Sequence, residues 1–98
     1  MKKLAILGST GSIGTQALDV VSAHPDEFSV EVLTAHSNAD LLIYQALKYK
    51  VNSVVIGDES KYETVKNALW EAGVKVYAGA KALEQIVEST EVEMVLTA

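Results

Sequence analysis

Three glycines near the start of the chain are the residues whose types and spacing most clearly predict chemistry. Gly8, Gly11 and Gly14 lie three positions apart in the stretch GSTGSIG, directly after an apolar run at residues 4–7. A strand, a glycine-rich turn and then a helix form a phosphate-binding arrangement, because the missing side chains let a pyrophosphate approach the backbone. The N–H groups at the start of the helix then hydrogen-bond the phosphate oxygens.

Each glycine of this turn has a predicted role. Gly8 allows the tight exit from the strand, Gly11 leaves room for the pyrophosphate, and Gly14 lets the helix pack closely on the sheet. Hydroxyl donors around the same oxygens are expected from three further residues of the turn: Ser9, Thr10 and Ser12. In the alternative interpretation the glycines only permit a tight corner, but the strand before them and the helix after them favour the phosphate site.

The end of the second predicted strand indicates which dinucleotide would bind. A site for NAD places Asp or Glu there for the ribose hydroxyls, and that carboxylate would repel the 2′-phosphate of NADP. Here the chain reads TAHSN over residues 34–38, without an acid. His36, Ser37 and Asn38 could donate to a phosphate, so the sequence predicts NADPH rather than NADH. Alternatively, His36 and Ser37 are solvated loop residues and Asn38 is only a helix cap.

Composition and charge exclude several other classes of function. The chain has 98 residues, 49% of them apolar, which suits one small domain with a core. Its net charge of −5 argues against a nucleic-acid partner, because binding to the phosphate backbone needs a basic surface. Without cysteine it has neither disulfides nor thiolate metal ligands. No apolar run approaches the ~18 residues of a membrane span, and none suits a signal peptide, so we expect a soluble, cytoplasmic chain without a membrane partner.

The elements that must position these residues alternate between strands and helices. Short apolar or β-branched runs, typical of strands in a parallel sheet, lie at residues 4–7, 28–35, 53–56, 74–77 and 92–97. Helical patterns separate them, which predicts a Rossmann-like, doubly wound parallel sheet of five strands with helices on both faces. Asn38 is expected to cap the second helix. Apolar residues recur at helical spacing in the first helix: Ile13, Ala17, Val20 and Val21.

The position of the last predicted strand bears on whether the domain is complete. A helix normally follows such a strand and covers the sheet, whereas here the sequence stops on or just after it. We therefore expect residues 1–98 to be a dinucleotide-binding domain truncated at its C-terminal end, a fragment of a longer enzyme.

The stretch LGSTGSIGTQALDVV, residues 7–21, resembles the amino-terminal signature of the 1-deoxy-D-xylulose 5-phosphate reductoisomerase family. The likeness continues through the second strand and Asn38 and weakens over residues 58–89. It implies an NADPH-dependent enzyme of the non-mevalonate isoprenoid pathway, which rearranges 1-deoxy-D-xylulose 5-phosphate and reduces the product to 2-C-methyl-D-erythritol 4-phosphate. It also implies a divalent cation, Mg or Mn, and a homodimer.

The resemblance further implies which residues touch the cofactor. Family contacts would fall on Thr10, Gly11, Ser12 and Ile13 at the turn, and on residues 36–38. Many members carry glycine and often a basic residue where this chain has His36 and Ser37, whereas Asn38 is kept. The metal-binding acids and the substrate-phosphate site belong to the part of the enzyme that follows, so no catalytic or metal-binding residue is expected in this chain. We therefore expect the chain to be inactive alone.

Other interpretations stay open for a few residues and for the function. Glu91 and Glu93 on the last strand could suggest a metal site, but no histidine is near them, and we interpret them as solvent-facing. A stand-alone NAD(P)-sensing module without chemistry is a second function to consider. A third is the nucleotide-binding lobe of another NAD(P)-dependent reductase. Tyr44 and Lys48 have the Tyr-x-x-x-Lys spacing of one such class, but they lie too early in the chain for that role.

Overall fold

The computed structural model describes residues 1–89 and 92–98, in which five strands alternate with four helices. The strands are β1 (Lys2–Leu7), β2 (Phe28–Ala35), β3 (Ser53–Ile56), β4 (Lys75–Ala78) and β5 (Met94–Thr97). The helices are α1 (Ser12–Ala23), α2 (Ala39–Tyr49), α3 (Tyr62–Leu69) and α4 (Ala80–Ser89), and a short 3₁₀ turn, Glu59–Lys61, precedes α3. The predicted alternation is confirmed, although β5 begins at Met94 and not at residue 92.

The five strands form one parallel sheet in the order β4-β3-β2-β1-β5. The chain moves outward from β1 to β4 and then crosses back, so that β5 pairs with the other side of β1. Because such crossovers are right-handed, this reversal of direction changes the face on which the connecting helix lies. Helices α1, α2 and α3 cover one face and α4 covers the other, which confirms the predicted Rossmann-like architecture.

The core has two parts, one on each face of the sheet. The larger part lies under α1–α3 and its most deeply buried side chains include Leu4, Ile6, Leu33, Leu42, Val54, Ile56, Val65 and Leu69. The smaller part lies under α4 and contains Ala5, Val32, Val55 and Ile86. Strands covered on both faces need continuous apolar runs, which explains the run LAIL in β1 and the run VVI in β3.

Helix α1 buries only some of the apolar residues that recur at helical spacing in its sequence. Three of its residues are buried: Gly14, Leu18 and Val21. Ile13 and Val20, two of the apolar residues that recur at helical spacing, are 64% and 57% exposed. Gly14, Leu18 and Val21 follow the i, i+4, i+7 spacing of one helix face, with Leu18 and Val21 in the core and Gly14 against the glycine turn. Ile13 and Val20 lie one position earlier and are turned outward.

The helices in the part of the chain that the structure describes include none with the length and apolarity needed to cross a membrane.

Candidate functional site

The glycine turn after β1 is fixed to the end of β2 by backbone hydrogen bonds. The Gly8 N–H donates to the carbonyl oxygen of Thr34 at 3.0 Å and to its Oγ1 at 3.1 Å. The Ser9 N–H donates to the same carbonyl oxygen at 2.8 Å. Gly8 has φ +77°, a left-handed conformation that glycine adopts without a steric penalty. Gly8 therefore makes the sharp exit from β1 that the sequence predicts.

Helix α1 packs against the turn itself. A Cβ atom on Gly14 would overlap the carbonyl oxygen of Gly8 and would lie 2.7 Å from Ser9 Cα. The sequence predicts a close approach at this glycine, and the structure contains one. Gly14 approaches the backbone of the turn, however, whereas the sequence predicts that it approaches the sheet.

Gly11 faces open space at the start of α1. A Cβ atom here would find only the carbonyl oxygen of Gly8, at an ordinary contact distance of 3.6 Å. Its φ of −77° is accessible to any residue, so the backbone alone does not require glycine. As the N-cap residue, Gly11 has no side chain with which to cap the first N–H groups of α1, and the first turn contains no acid. This helix end combines partial positive charge with free space, which suits an anion.

The hydroxyl of Ser9 is turned away from the start of α1. Ser9 is fully buried, and its Oγ donates to Gln45 Oε1 at 2.7 Å. The Gln45 amide Nε2 in turn donates to the carbonyl oxygen of Ser9 at 2.9 Å. The expectation that Ser9 adds a donor for phosphate is therefore wrong, because α2 takes that hydroxyl. Thr10 is half-buried, and Ser12 and Ile13 are exposed at the start of α1.

Sequence reasoning missed Gln45. It lies on the buried face of α2, between the fully buried Leu42 and Ala46. A glutamine inside an apolar helix face was the available signal, because a buried amide needs hydrogen-bond partners. The partner could not be named from sequence, since Ser9 lies 36 residues away along the chain.

Residues 36–38 lie exposed at the end of β2. Asn38 Oδ1 accepts a hydrogen bond from the Leu41 N–H at 3.2 Å, so the predicted cap of α2 is confirmed. The Asn38 amide nitrogen retains two donors for other partners. The imidazole of His36 lies against the loop after β3, where a Cβ atom on Gly57 would be 3.0 Å from His36 Nδ1.

An acid from a different loop lies next to His36. The Asp58 N–H donates to the carbonyl oxygen of His36 at 2.7 Å. The Asp58 carboxylate accepts hydrogen bonds from Ser60 Oγ at 2.6 Å and from the Ser60 N–H at 3.0 Å. These bonds, the one from the Ser60 hydroxyl first, hold the pKa of Asp58 below its ordinary value of 3.8. The carboxylate thus caps the 3₁₀ turn.

The predicted residues meet at the carboxyl edge of the sheet. The glycine turn follows β1 and residues 36–38 follow β2, the neighbouring strand. On the other side of β1, the Ala98 N–H after β5 donates to the carbonyl oxygen of Leu7 at 2.9 Å. In open α/β sheets, ligands bind outside the carboxyl ends of the strands, where the strand order reverses, and here that point lies between β1 and β5.

Acidic residues form no comparable site in the described ranges. Within residues 1–89 and 92–98, no three or more His, Cys, Asp or Glu side chains are grouped so that they could hold a metal ion. Glu93 is exposed, as expected for a solvent-facing acid. Glu91 lies outside the described residues.

Comparison with known proteins identifies the family. A family model for 1-deoxy-D-xylulose 5-phosphate reductoisomerase matches residues 4–98. The chain belongs to this family. The 1-deoxy-D-xylulose 5-phosphate reductoisomerase of Bacteroides fragilis is 58% identical over 97 residues, which cover 99% of this chain and 25% of that protein. The chain therefore spans about a quarter of the length of the curated reductoisomerases it matches. The resemblance based on GSTGSIG and the residues after it is confirmed.

Solved reductoisomerases have the same fold. The enzyme from Zymomonas mobilis in complex with NADPH matches with a TM-score of 0.82 and 37% identity, over 86% of this chain and 22% of that one. A DOX-P reductoisomerase in complex with NADPH, fosmidomycin and magnesium matches with a TM-score of 0.90 and 27% identity, over 97% and 24% of the two chains. Both matches agree with the Rossmann-like sheet described above.

The contact between α1 and the turn generates a prediction about stability. Gly14→Ala should destabilise the protein by about 1–3 kcal/mol, because the added methyl group has no space, even though alanine favours helices. Gly11→Ala, the same change three residues earlier, meets open space and should cost less than about 1 kcal/mol. Urea unfolding followed by circular dichroism measures both. Equal losses in the two variants would contradict the packing role of Gly14.

Proposed function

We propose that this chain is the NADPH-binding part of a 1-deoxy-D-xylulose 5-phosphate reductoisomerase. That enzyme isomerises and reduces 1-deoxy-D-xylulose 5-phosphate to 2-C-methyl-D-erythritol 4-phosphate in non-mevalonate isoprenoid biosynthesis. The observation that carries the proposal is the free space at Gly11, in front of the start of α1 and beside the reversal of strand order. Membership of the family and the NADPH complexes of related enzymes support it. They do not favour an NAD(P)-sensing module or another reductase.

The residues around the turn fit a pyrophosphate. The N–H groups of Thr10 and of the first turn of α1 would donate to its oxygens, and the hydroxyls of Thr10 and Ser12 would add to them. Ile13 presents an apolar side chain in that first turn, 64% exposed, which we propose packs on the cofactor. Bound NADPH supplies the hydride for the reduction, and the task of this part is to hold and orient it.

The adenosine end of the cofactor would lie at residues 36–38. His36, Ser37 and Asn38 are exposed and offer an imidazole, a hydroxyl and an amide as donors to the 2′-phosphate. The nearby Asp58 carboxylate is hydrogen-bonded to Ser60, at the start of the 3₁₀ turn. Because no acid follows β2 to bind the ribose hydroxyls, NADPH is preferred over NADH.

The catalytic metal and the substrate belong to other residues. Magnesium and fosmidomycin are present in a related reductoisomerase structure. The described residues of this chain include no group of acids or histidines suited to Mg or Mn, so they do not fit the metal. We propose that the metal, the catalytic groups and the phosphosugar site lie outside this chain. We further propose that the whole enzyme is a cytoplasmic homodimer that binds neither nucleic acid nor membrane.

The cofactor preference can be tested by calorimetry. NADPH should bind at least about tenfold more tightly than NADH, because hydrogen bonds to a charged phosphate contribute about 1.5–3 kcal/mol. His36→Ala should reduce that ratio. His24→Ala is the matched control and should leave the ratio unchanged. His24 lies at the C-terminal end of α1, away from the glycine turn at its start. Tighter binding of NADH by the unmodified chain would overturn the preference.

The position of the phosphate site can be tested at Gly11. Gly11→Leu should abolish NADPH binding, because the new side chain would occupy the place of the pyrophosphate. Ala23→Leu makes a similar change at the far, exposed end of α1 and should leave the affinity unchanged. Circular dichroism and the melting temperature establish that both variants are folded. NADPH binding by a folded Gly11→Leu variant would show that the turn is not the site.

The proposal that the catalytic groups lie outside this chain can be tested by a turnover assay. The purified 98-residue chain should not consume NADPH in the presence of 1-deoxy-D-xylulose 5-phosphate and Mg²⁺ or Mn²⁺. The reductoisomerase of Bacteroides fragilis provides the positive control under the same conditions. Measurable NADPH oxidation that depends on the substrate and on this chain would contradict the proposal.

A further inference from the structure

Gln45 is a buried polar side chain to which the proposed function assigns no role. It is 3% exposed, and both ends of its amide bind a single residue, Ser9. A buried amide is costly unless its hydrogen bonds are made. An apolar residue of similar volume would fill the same space without that requirement. What Gln45 adds is therefore a fixed link between α2 and the glycine turn.

This link is made directly to the Ser9–Thr10 peptide plane, whereas the other hydrogen bonds of the turn are made by neighbouring peptides. The bonds to Thr34 are made by the N–H groups of Gly8 and Ser9, which belong to the peptides before the Ser9–Thr10 bond. The Gly11 N–H, which belongs to the peptide after it, donates to the carbonyl oxygen of Gly8 at 3.2 Å. Gln45 Nε2 instead holds the carbonyl oxygen of Ser9, at 2.9 Å. Because a trans peptide is planar, the Thr10 N–H must point in the opposite direction from that oxygen. The Ser9 oxygen points inward to α2, so the Thr10 N–H is turned outward.

We propose that Gln45 is a positioning residue that aims the Thr10 N–H at a phosphate oxygen of the dinucleotide. The proposal rests on the proposed NADPH site. A hydrogen bond weakens steeply as its angle departs from linearity, so a donor that is already aimed binds an anion better than one that must turn. Gln45 also follows Asn38 by seven residues, about two turns of α2. The same rigid helix thus sets the distance between the turn and the loop at residues 36–38.

The first test compares two ligands in calorimetric and NMR titrations. Gln45→Leu removes both hydrogen bonds and should weaken NADPH binding about tenfold, whereas adenosine 2′-monophosphate, which lacks the pyrophosphate, should lose less than twofold. Tyr49→Phe is the matched control. Its hydroxyl, also on α2, binds Ser22 Oγ at 2.9 Å and the carbonyl oxygen of Leu18 at 3.1 Å, away from the glycine turn. It should leave both affinities unchanged. Equal losses for the two ligands in Gln45→Leu, or unchanged NADPH binding, would overturn the proposal.

Two milder variants test the two hydrogen bonds between Gln45 and Ser9 separately. They replace Gln45→Leu in the titrations if that variant does not fold. Gln45→Glu, titrated at a pH at which its carboxylate is ionised, loses the donor to the Ser9 carbonyl and keeps the acceptor for the Ser9 hydroxyl, so it should weaken NADPH binding. Ser9→Ala loses only the hydroxyl, so the Thr10 N–H stays aimed and the affinity should change less than threefold. The reverse pattern would contradict a role for the peptide plane.

Amide NMR gives a readout that general destabilisation would not produce. Saturation with NADPH should move the Thr10 amide proton downfield in the unmodified chain and in Tyr49→Phe, and this shift should be lost in a folded Gln45 variant. An identical shift in the Gln45 variant would overturn the proposal. If the unmodified chain itself fails to bind NADPH, the proposed function fails and this inference with it. If it binds NADPH and the Gln45 variants bind equally well, only this inference fails.

Discussion

The closeness of the start of α1 to the turn after β1 is the constraint on which the site depends. The backbone of the helix at Gly14 lies against the carbonyl oxygen of Gly8, with no space for a single methyl group. At that separation the turn, fixed to β2 through Thr34, also fixes where the helix begins. The first N–H groups of α1 therefore come to the carboxyl edge of the sheet, and the missing side chain of Gly11 keeps the space in front of them free.

Helix α2 makes hydrogen bonds through three polar side chains along its length. Asn38 caps the helix where it leaves the end of β2, Gln45 binds the turn, and Tyr49 binds α1. The bonds of Gln45 and Tyr49 join residues that are far apart in the sequence, whereas the cap at Asn38 is local. The turn and the loop at residues 36–38 are thus both attached to α2, which favours holding a long, flexible cofactor in one orientation.

Local sequence patterns were sufficient to predict the helices and strands, but they were not sufficient to predict the contacts between them. The short apolar runs of β1 and β3 and the cap at Asn38 are local features, so the alternation of strands and helices could be predicted. The pairing of β5 with β1 follows the reversal of strand order, which no local pattern encodes. For the same reason, the burial of the Ser9 hydroxyl and the approach of Asp58 to His36 could not be predicted, because each depends on a neighbour from a distant part of the sequence.

The pairing of the first strand with the last has a consequence for how the site is assembled. Leu4 pairs with Met94 and Leu7 with Thr97, so β5 can take its place only after nearly all of the described chain has been synthesised. Such long-range pairing closes a large loop and is slow compared with the formation of a helix or of neighbouring strands. On the ribosome, the glycine turn is therefore made before Ala98, its neighbour at the end of β5, has been synthesised. A cofactor that needs both sides of the turn cannot stabilise the early stages of folding, and it acts only on the assembled sheet.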